Sequence, residues 1–155
     1  ALAYGRKLGR GWGPGELSGG EQAKYLRRSF GTFPEADNAM IGNGYLQAGH
    51  SDEAIEALNN AIRHDPTFAK AYFLMGMARS CRDEYGLAIG HYSQAIALRP
   101  EKAGYYFCRA RAFEGMRQPR HAFEDYARVL MLEPEHEGAR IRWRQLRDQL
   151  EQATR

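Results

Sequence analysis

Three prolines, Pro66, Pro100 and Pro134, stand 34 residues apart, and no other feature of this 155-residue chain restricts its fold as tightly. Ala54, Ala88 and Ala122 keep the same interval, as do Leu58, Tyr92 and Tyr126 and, less strictly, Ala61, Ala95 and Val129. Coincident series at one period mean a stack of like units, each too small to bury its apolar face without a neighbour. A hydrophobic share of 43% supplies enough material for such a shared core. No charge-free apolar run is long enough for a transmembrane helix.

Within each period the apolar spacing predicts two amphipathic helices. They run over 36–48 and 52–64, over 69–82 and 85–98, and over 103–116 and 120–132. Gly49-His50-Ser51 breaks the first pair, and Pro119 stands where a helix begins. Ile55, Leu58, Ala61 and Ile62 show the spacing of a buried stripe. Each proline ends a second helix, because it has no N–H for the helical hydrogen bond.

Counted from 35, 69 and 103, the eighth residue is small (Gly42, Gly76, Ala110) and so is the twentieth (Ala54, Ala88, Ala122). Large residues fill the eleventh (Tyr45, Phe113) and the fourth (Tyr72, Tyr106). This pattern resembles the tetratricopeptide repeat, a 34-residue helix–turn–helix, over residues 35–134. The resemblance implies an all-α fold: a right-handed solenoid of three repeats (35–68, 69–102, 103–136), in which the small residues let paired helices approach. Arg79 and Asn38 replace aromatics of the pattern, and Asp83 and Arg117 stand where the first repeat has its turn glycine, Gly49. Looser packing is expected there.

Outside the repeats, 137–153 reads as a C-terminal capping helix. Its expected inward face is Ile141, Trp143, Leu146 and Leu150, with Arg140, Arg142, Arg144, Arg147 and Asp148 outward. Residues 1–33 form a Gly-rich basic arm with one short helix over 20–31; seven of the first 20 residues are glycine. Residues 1–31 hold six Lys/Arg against two acids. No aromatic–basic interleaving accompanies them, so the arm reads as a solvated tail and no nucleic acid is expected. Cys81 and Cys108, the only cysteines, read as reduced thiols of a cytoplasmic protein. The N-terminus lacks the apolar core of a signal peptide, and the missing initiator Met suggests a processed chain or an excerpt.

Catalytic and metal chemistry find no footing. Leu17-Ser18-Gly19-Gly20-Glu21-Gln22 resembles the signature motif of ABC-type ATPases, but none of the four lysines follows a glycine as a Walker A loop requires. Ser18 and Glu21 read instead as a helix capping box. His50, His64, His91, His121 and His136 show no metal-ligand spacing, so no metal or other cofactor is expected.

The tetratricopeptide resemblance places the first helix of each pair on a concave wall. There it implies a peptide groove of Asn43, Leu46, Lys70, Phe73, Met77, Phe107 and Arg111, with Ala39 and Ile141 in the same row. Phe73 and Phe107 are expected side by side and open to solvent, with Arg111 meeting an acid beside a ligand's apolar anchor. The family's clamp for heat-shock tails would need lysine at 39, asparagine at 43 and 74, lysine at 104 and arginine at 108. Ala39, Asn43, Leu74, Gly104 and Cys108 match once, which argues against that ligand.

The expected function is a non-enzymatic adaptor or scaffold binding a protein or peptide within a larger assembly. One alternative is a type III secretion translocator chaperone, which the stretch from Tyr72 to Gly76 resembles, although a sequence pI near 9.0 is unlike those acidic proteins. The other is the targeting portion of a longer enzyme. Oligomeric state stays open.

Overall fold

The computed structural model of this chain describes residues 35–153, so the N-terminal arm, its short helix and the Ser18–Glu21 capping box lie outside the described residues. Seven helices follow one another: α1 (Glu35–Gln47), α2 (Ser51–His64), α3 (Ala69–Ser80), α4 (Tyr85–Leu98), α5 (Ala103–Gly115), α6 (Pro119–Leu132) and α7 (Glu137–Ala153). Strands are absent among the described residues. The starts of α1, α3, α5 and α7 are each one period apart, as are those of α2, α4 and α6, so α7 occupies a fourth first-helix position.

The turns repeat as closely as the helices. His50, Glu84 and Gln118 donate their N–H to the carbonyls of Tyr45, Arg79 and Phe113 at 2.9, 3.0 and 2.9 Å. One residue earlier, Gly49, Asp83 and Arg117 donate to Leu46, Ser80 and Glu114, completing the same C-terminal motif three times. The residue at its centre must be left-handed, and φ is +77° at Gly49, +58° at Asp83 and +56° at Arg117. Asp83 and Arg117 therefore keep the turn intact, at the steric cost of a Cβ in that region.

Close approach explains the small residues. A Cβ on Gly42 would lie 2.6 Å from Leu58 Cγ, and one on Gly76 would lie 2.5 Å from Tyr92 Cε1. Ala54, Ala88 and Ala122 are fully buried opposite them. Two larger clusters centre on Tyr45 with Leu58 and on Tyr126 with Val129, and a smaller one on Tyr92 lies between.

Four side chains depart from the expected packing. Arg79 is half-buried and donates to Glu84 Oε2 at 2.7 Å, while its Nε has no hydrogen-bond partner. Asn38 is buried. Arg109 stands where the other repeats have Ile41 and Met75, and donates to both oxygens of Asp125 at 2.7 Å and to Ser93 Oγ at 2.9 Å. Ile141 is not an inward residue of α7 but 49% exposed; Ala139, Trp143, Leu146 and Leu150 form the covered face. It shares its repeat position with Phe73 and Phe107, on α7, the last of the described helices.

Candidate functional site

Repeat position 12 of one first helix stands near position 6 of the next, and the three junctions fill that place differently. Between α1 and α3 the pair is Leu46 and Leu74, packed in one apolar cluster. Between α5 and α7 it is Glu114 and Arg142, joined by an ion pair of 2.8 Å. Between α3 and α5 it is Ser80 and Cys108, which are too small to close the gap. A cavity of about 300 Å³ opens there, lined by Met77, Ser80, Cys81, Tyr85, Tyr92, Cys108, Arg111 and Ala112.

Its walls are apolar with a few polar groups at defined points. Ser80 Oγ and Tyr92 Oη are hydrogen-bonded at 3.2 Å, and burial pushes the Tyr92 phenol well above the ordinary tyrosine range. Burial also raises the Cys108 thiol, with Arg111 pulling in the opposite direction. Tyr85 donates to Asp83 Oδ1 at 2.7 Å, which fixes one side of the mouth. Arg111 is exposed at the rim, where its charge reaches Tyr85, Tyr92 and Cys108. The site can hold one apolar side chain beside an anionic group.

Of the seven residues singled out from sequence, the structure brings Met77 and Arg111 together on this cavity. Lys70 is exposed at the opposite end of α3, while Asn43 and Leu46 are half-buried on α1. The two phenylalanines do not stand open. Phe73 is half-buried with its ring stacked on Tyr105 at 4.8 Å, and it also packs against Tyr92 at 5.9 Å. Phe107 is half-buried between Tyr126 at 5.6 Å and His136 at 4.7 Å. His136 Nδ1 in turn accepts the Ala139 N–H at 3.1 Å, so the imidazole caps α7 while covering Phe107. Ala39, expected in the row, is buried.

Reasoning from sequence missed Tyr85, Tyr92 and Cys108 as cavity walls. Cys81 and Cys108, read from sequence only as reduced thiols, both line the cavity. The available signal was the drop in size at Ser80 and Cys108 relative to the same positions in the flanking units.

Comparisons with known proteins agree with this architecture. A family model described as a TPR repeat matches residues 42–79. RNA polymerase II-associated protein 3 of Xenopus tropicalis is 30% identical over 113 residues, which is 73% of this chain and 17% of that protein. Serine/threonine-protein phosphatase 5 of Rattus norvegicus is 27% identical over 116 residues, or 74% of this chain and 23% of the relative. The chain thus spans about a quarter or less of these relatives' length. Among solved structures, the first TPR of Spaghetti bound to the HSP90 peptide SRMEEVD superposes with a TM-score of 0.72 at 26% identity, covering 75% of this chain and 92% of that one. MamA superposes with a TM-score of 0.73 at 25% identity, covering 83% and 73%.

Proposed function

Because the chain is built of tetratricopeptide repeats, we propose that it is a protein-interaction module that takes up a partner segment on its concave side. The segment's apolar anchor enters the cavity between α3, α4 and α5, and an acidic neighbour meets Arg111. The observation that carries this reading is the unfilled cavity itself, at the one of the three junctions whose position-12 and position-6 residues neither pack nor pair. Concave, mostly apolar sites with a few convergent polar groups are where ligands bind.

The Spaghetti domain holds an HSP90 peptide, but its ligand is not carried over here. The clamp positions in this chain include Ala39 and Leu74, 4% and 3% exposed, which offer neither charge nor access. Titration with SRMEEVD tests this directly: micromolar binding would overturn the proposed difference in ligand. For the main reading, affinity capture followed by mass spectrometry is to be run with wild type, Cys108→Leu and Arg111→Glu. Partners of the cavity are lost from both variants. Hydrogen exchange with such a partner should protect α3 and α5, and protection confined to α2, α4 and α6 would refute the groove.

A second reading is compatible with the first: the chain is the targeting part of a longer protein. Its match to about a quarter of a phosphatase supports that reading. Mass determination of the native protein in its source distinguishes a free module from a fused one. Among the described residues no helix is long and apolar enough to cross a membrane.

A further inference from the structure

The floor of the cavity has a hydrogen-bond count that its own residues do not close. Ser80 Oγ and Tyr92 Oη lie 3.2 Å apart, and either can be the donor in the bond between them. Each hydroxyl carries one hydrogen and can also accept. One bond between two hydroxyls therefore uses one hydrogen and leaves the other. Among the described residues neither oxygen takes part in a further hydrogen bond. Burial keeps the Tyr92 phenol protonated, so its hydrogen is present at any physiological pH. The third hydroxyl on the cavity wall is already spent, since Tyr85 donates to Asp83 Oδ1 at 2.7 Å.

This leftover hydrogen lies deep. Tyr92 is 2% exposed, whereas Arg111 is exposed at the mouth. Solvent entering through the mouth can serve the hydroxyl while the site is free. A ligand that displaces solvent has to reproduce the bond, because a buried hydroxyl stripped of its acceptor costs affinity.

That requirement narrows the anchor. Leucine and phenylalanine offer no acceptor, and the indole of tryptophan only donates. A carboxylate would accept, but it would lose its hydration at the floor while Arg111, the one cationic lining residue, stands at the mouth. An asparagine or glutamine amide brings two donor hydrogens of its own to a pair of hydroxyls with one to give. Serine and threonine have the right group on a stem too short to fill about 300 Å³ between Met77, Tyr85 and Ala112. Tyrosine meets both demands. Its ring fills the apolar walls, and its hydroxyl accepts the leftover hydrogen while donating to the other oxygen. Three hydroxyls then form a ring in which each gives one hydrogen and accepts one. A buried tyrosine hydroxyl needs such partners in any case.

We propose that the partner segment is anchored by a tyrosine, whose hydroxyl joins those of Ser80 and Tyr92 at the cavity floor while an acidic neighbour meets Arg111. The assignment rests on the cavity being the anchor's seat, and its test keeps the two apart. The probes are p-cresol and toluene, the side-chain analogues of tyrosine and phenylalanine, titrated into the isotope-labelled full chain and followed by NMR. Both should shift the resonances of Met77, Cys108 and Ala112 saturably, with p-cresol bound about tenfold more tightly. Hydrophobicity alone favours toluene, so the order of the two is itself diagnostic. In Ser80→Ala/Tyr92→Phe, with circular dichroism unchanged, the order should reverse. Should that variant not fold, Ser80→Ala alone, at the less buried member of the pair, must lower the preference for p-cresol. Toluene bound as tightly as p-cresol by wild type overturns the tyrosine assignment and leaves the cavity standing as an anchor site. A preference for p-cresol that survives loss of the hydroxyls also overturns it, as does binding that survives Cys108→Leu, which fills the cavity. Neither probe shifting the cavity resonances overturns the assignment and the anchor site together.

Discussion

Asp125→Ala should destabilise the fold more than its surface-like residue type suggests. The Asp125 side chain is 8% exposed, and that of its partner Arg109 is 20% exposed. The bidentate pair, with the Ser93 hydroxyl as third member, joins α4, α5 and α6 and holds the Arg109 guanidinium more firmly protonated than an ordinary arginine. Removing one partner of a fully buried pair costs about 3–5 kcal/mol, because the other charge stays buried alone. Here Arg109 keeps one-fifth exposure, the Ser93 bond and the faces of Tyr106 and Phe113 at 5.7 and 5.9 Å. The expected loss is therefore about 2–4 kcal/mol. In Tm that is roughly 5–15 °C for a chain of this size. The assay is urea unfolding followed by far-UV circular dichroism, comparing Asp125→Ala, Arg109→Met and the double variant Arg109→Met/Asp125→Leu. Because the pair is costly to desolvate, the double variant should return to within about 1 kcal/mol of wild type. A loss below about 1 kcal/mol for Asp125→Ala would show that water screens the pair. A double variant as unstable as the worse of the two singles would show that the pair itself stabilises, and the desolvation argument would fall.

Arg117→Gly should stabilise by about 1 kcal/mol, since it relieves a left-handed residue in an otherwise satisfied turn, and a lower Tm would refute the strain. Burial first, and the Arg79 charge second, hold the His91 pKa below its ordinary 6.5. The unfolded chain then binds the proton more readily, so stability is full above about pH 6.5 and falls as pH drops towards the lowered value; His91→Gln should flatten that slope in Tm measured across pH. Phe73 and Phe107 are half-buried and do not line the cavity, so Phe73→Ala and Phe107→Ala should each lower stability by about 2 kcal/mol while binding at the cavity persists. Binding lost at an unchanged Tm would place them on the groove instead.

Helix pairs, turns and close contacts were legible because each is repeated, and repetition at 34 residues separates signal from accident. The observed helices begin and end within two residues of the positions expected from sequence. Features that occur once were not legible. The Arg109–Asp125–Ser93 network needs three residues from three helices, and in sequence Arg109 is one arginine among many. The covers over Phe73 and Phe107 come from Tyr105 and His136 in following segments, at positions that the repeat pattern does not mark. Ile141 was placed inward by periodicity alone, although its repeat position already aligned it with the groove row.

The cavity lies where the middle unit meets the third, and the mechanics of a repeat array account for that. Each unit is stabilised by its own packing and by contact with its neighbours, so a middle unit has two interfaces and a terminal one fewer. An unfilled 300 Å³ junction at Ser80 and Cys108, and a glycine, Gly90, in the interior of α4, are local costs that such a unit can bear. The Arg109 network lies on the side where they are borne, tying α4 to α5 and α6 from the residue next to Cys108 and two before Arg111. It follows that the network positions the cavity wall as well as joining the helices. Loosening it should therefore displace Cys108 and Arg111 together.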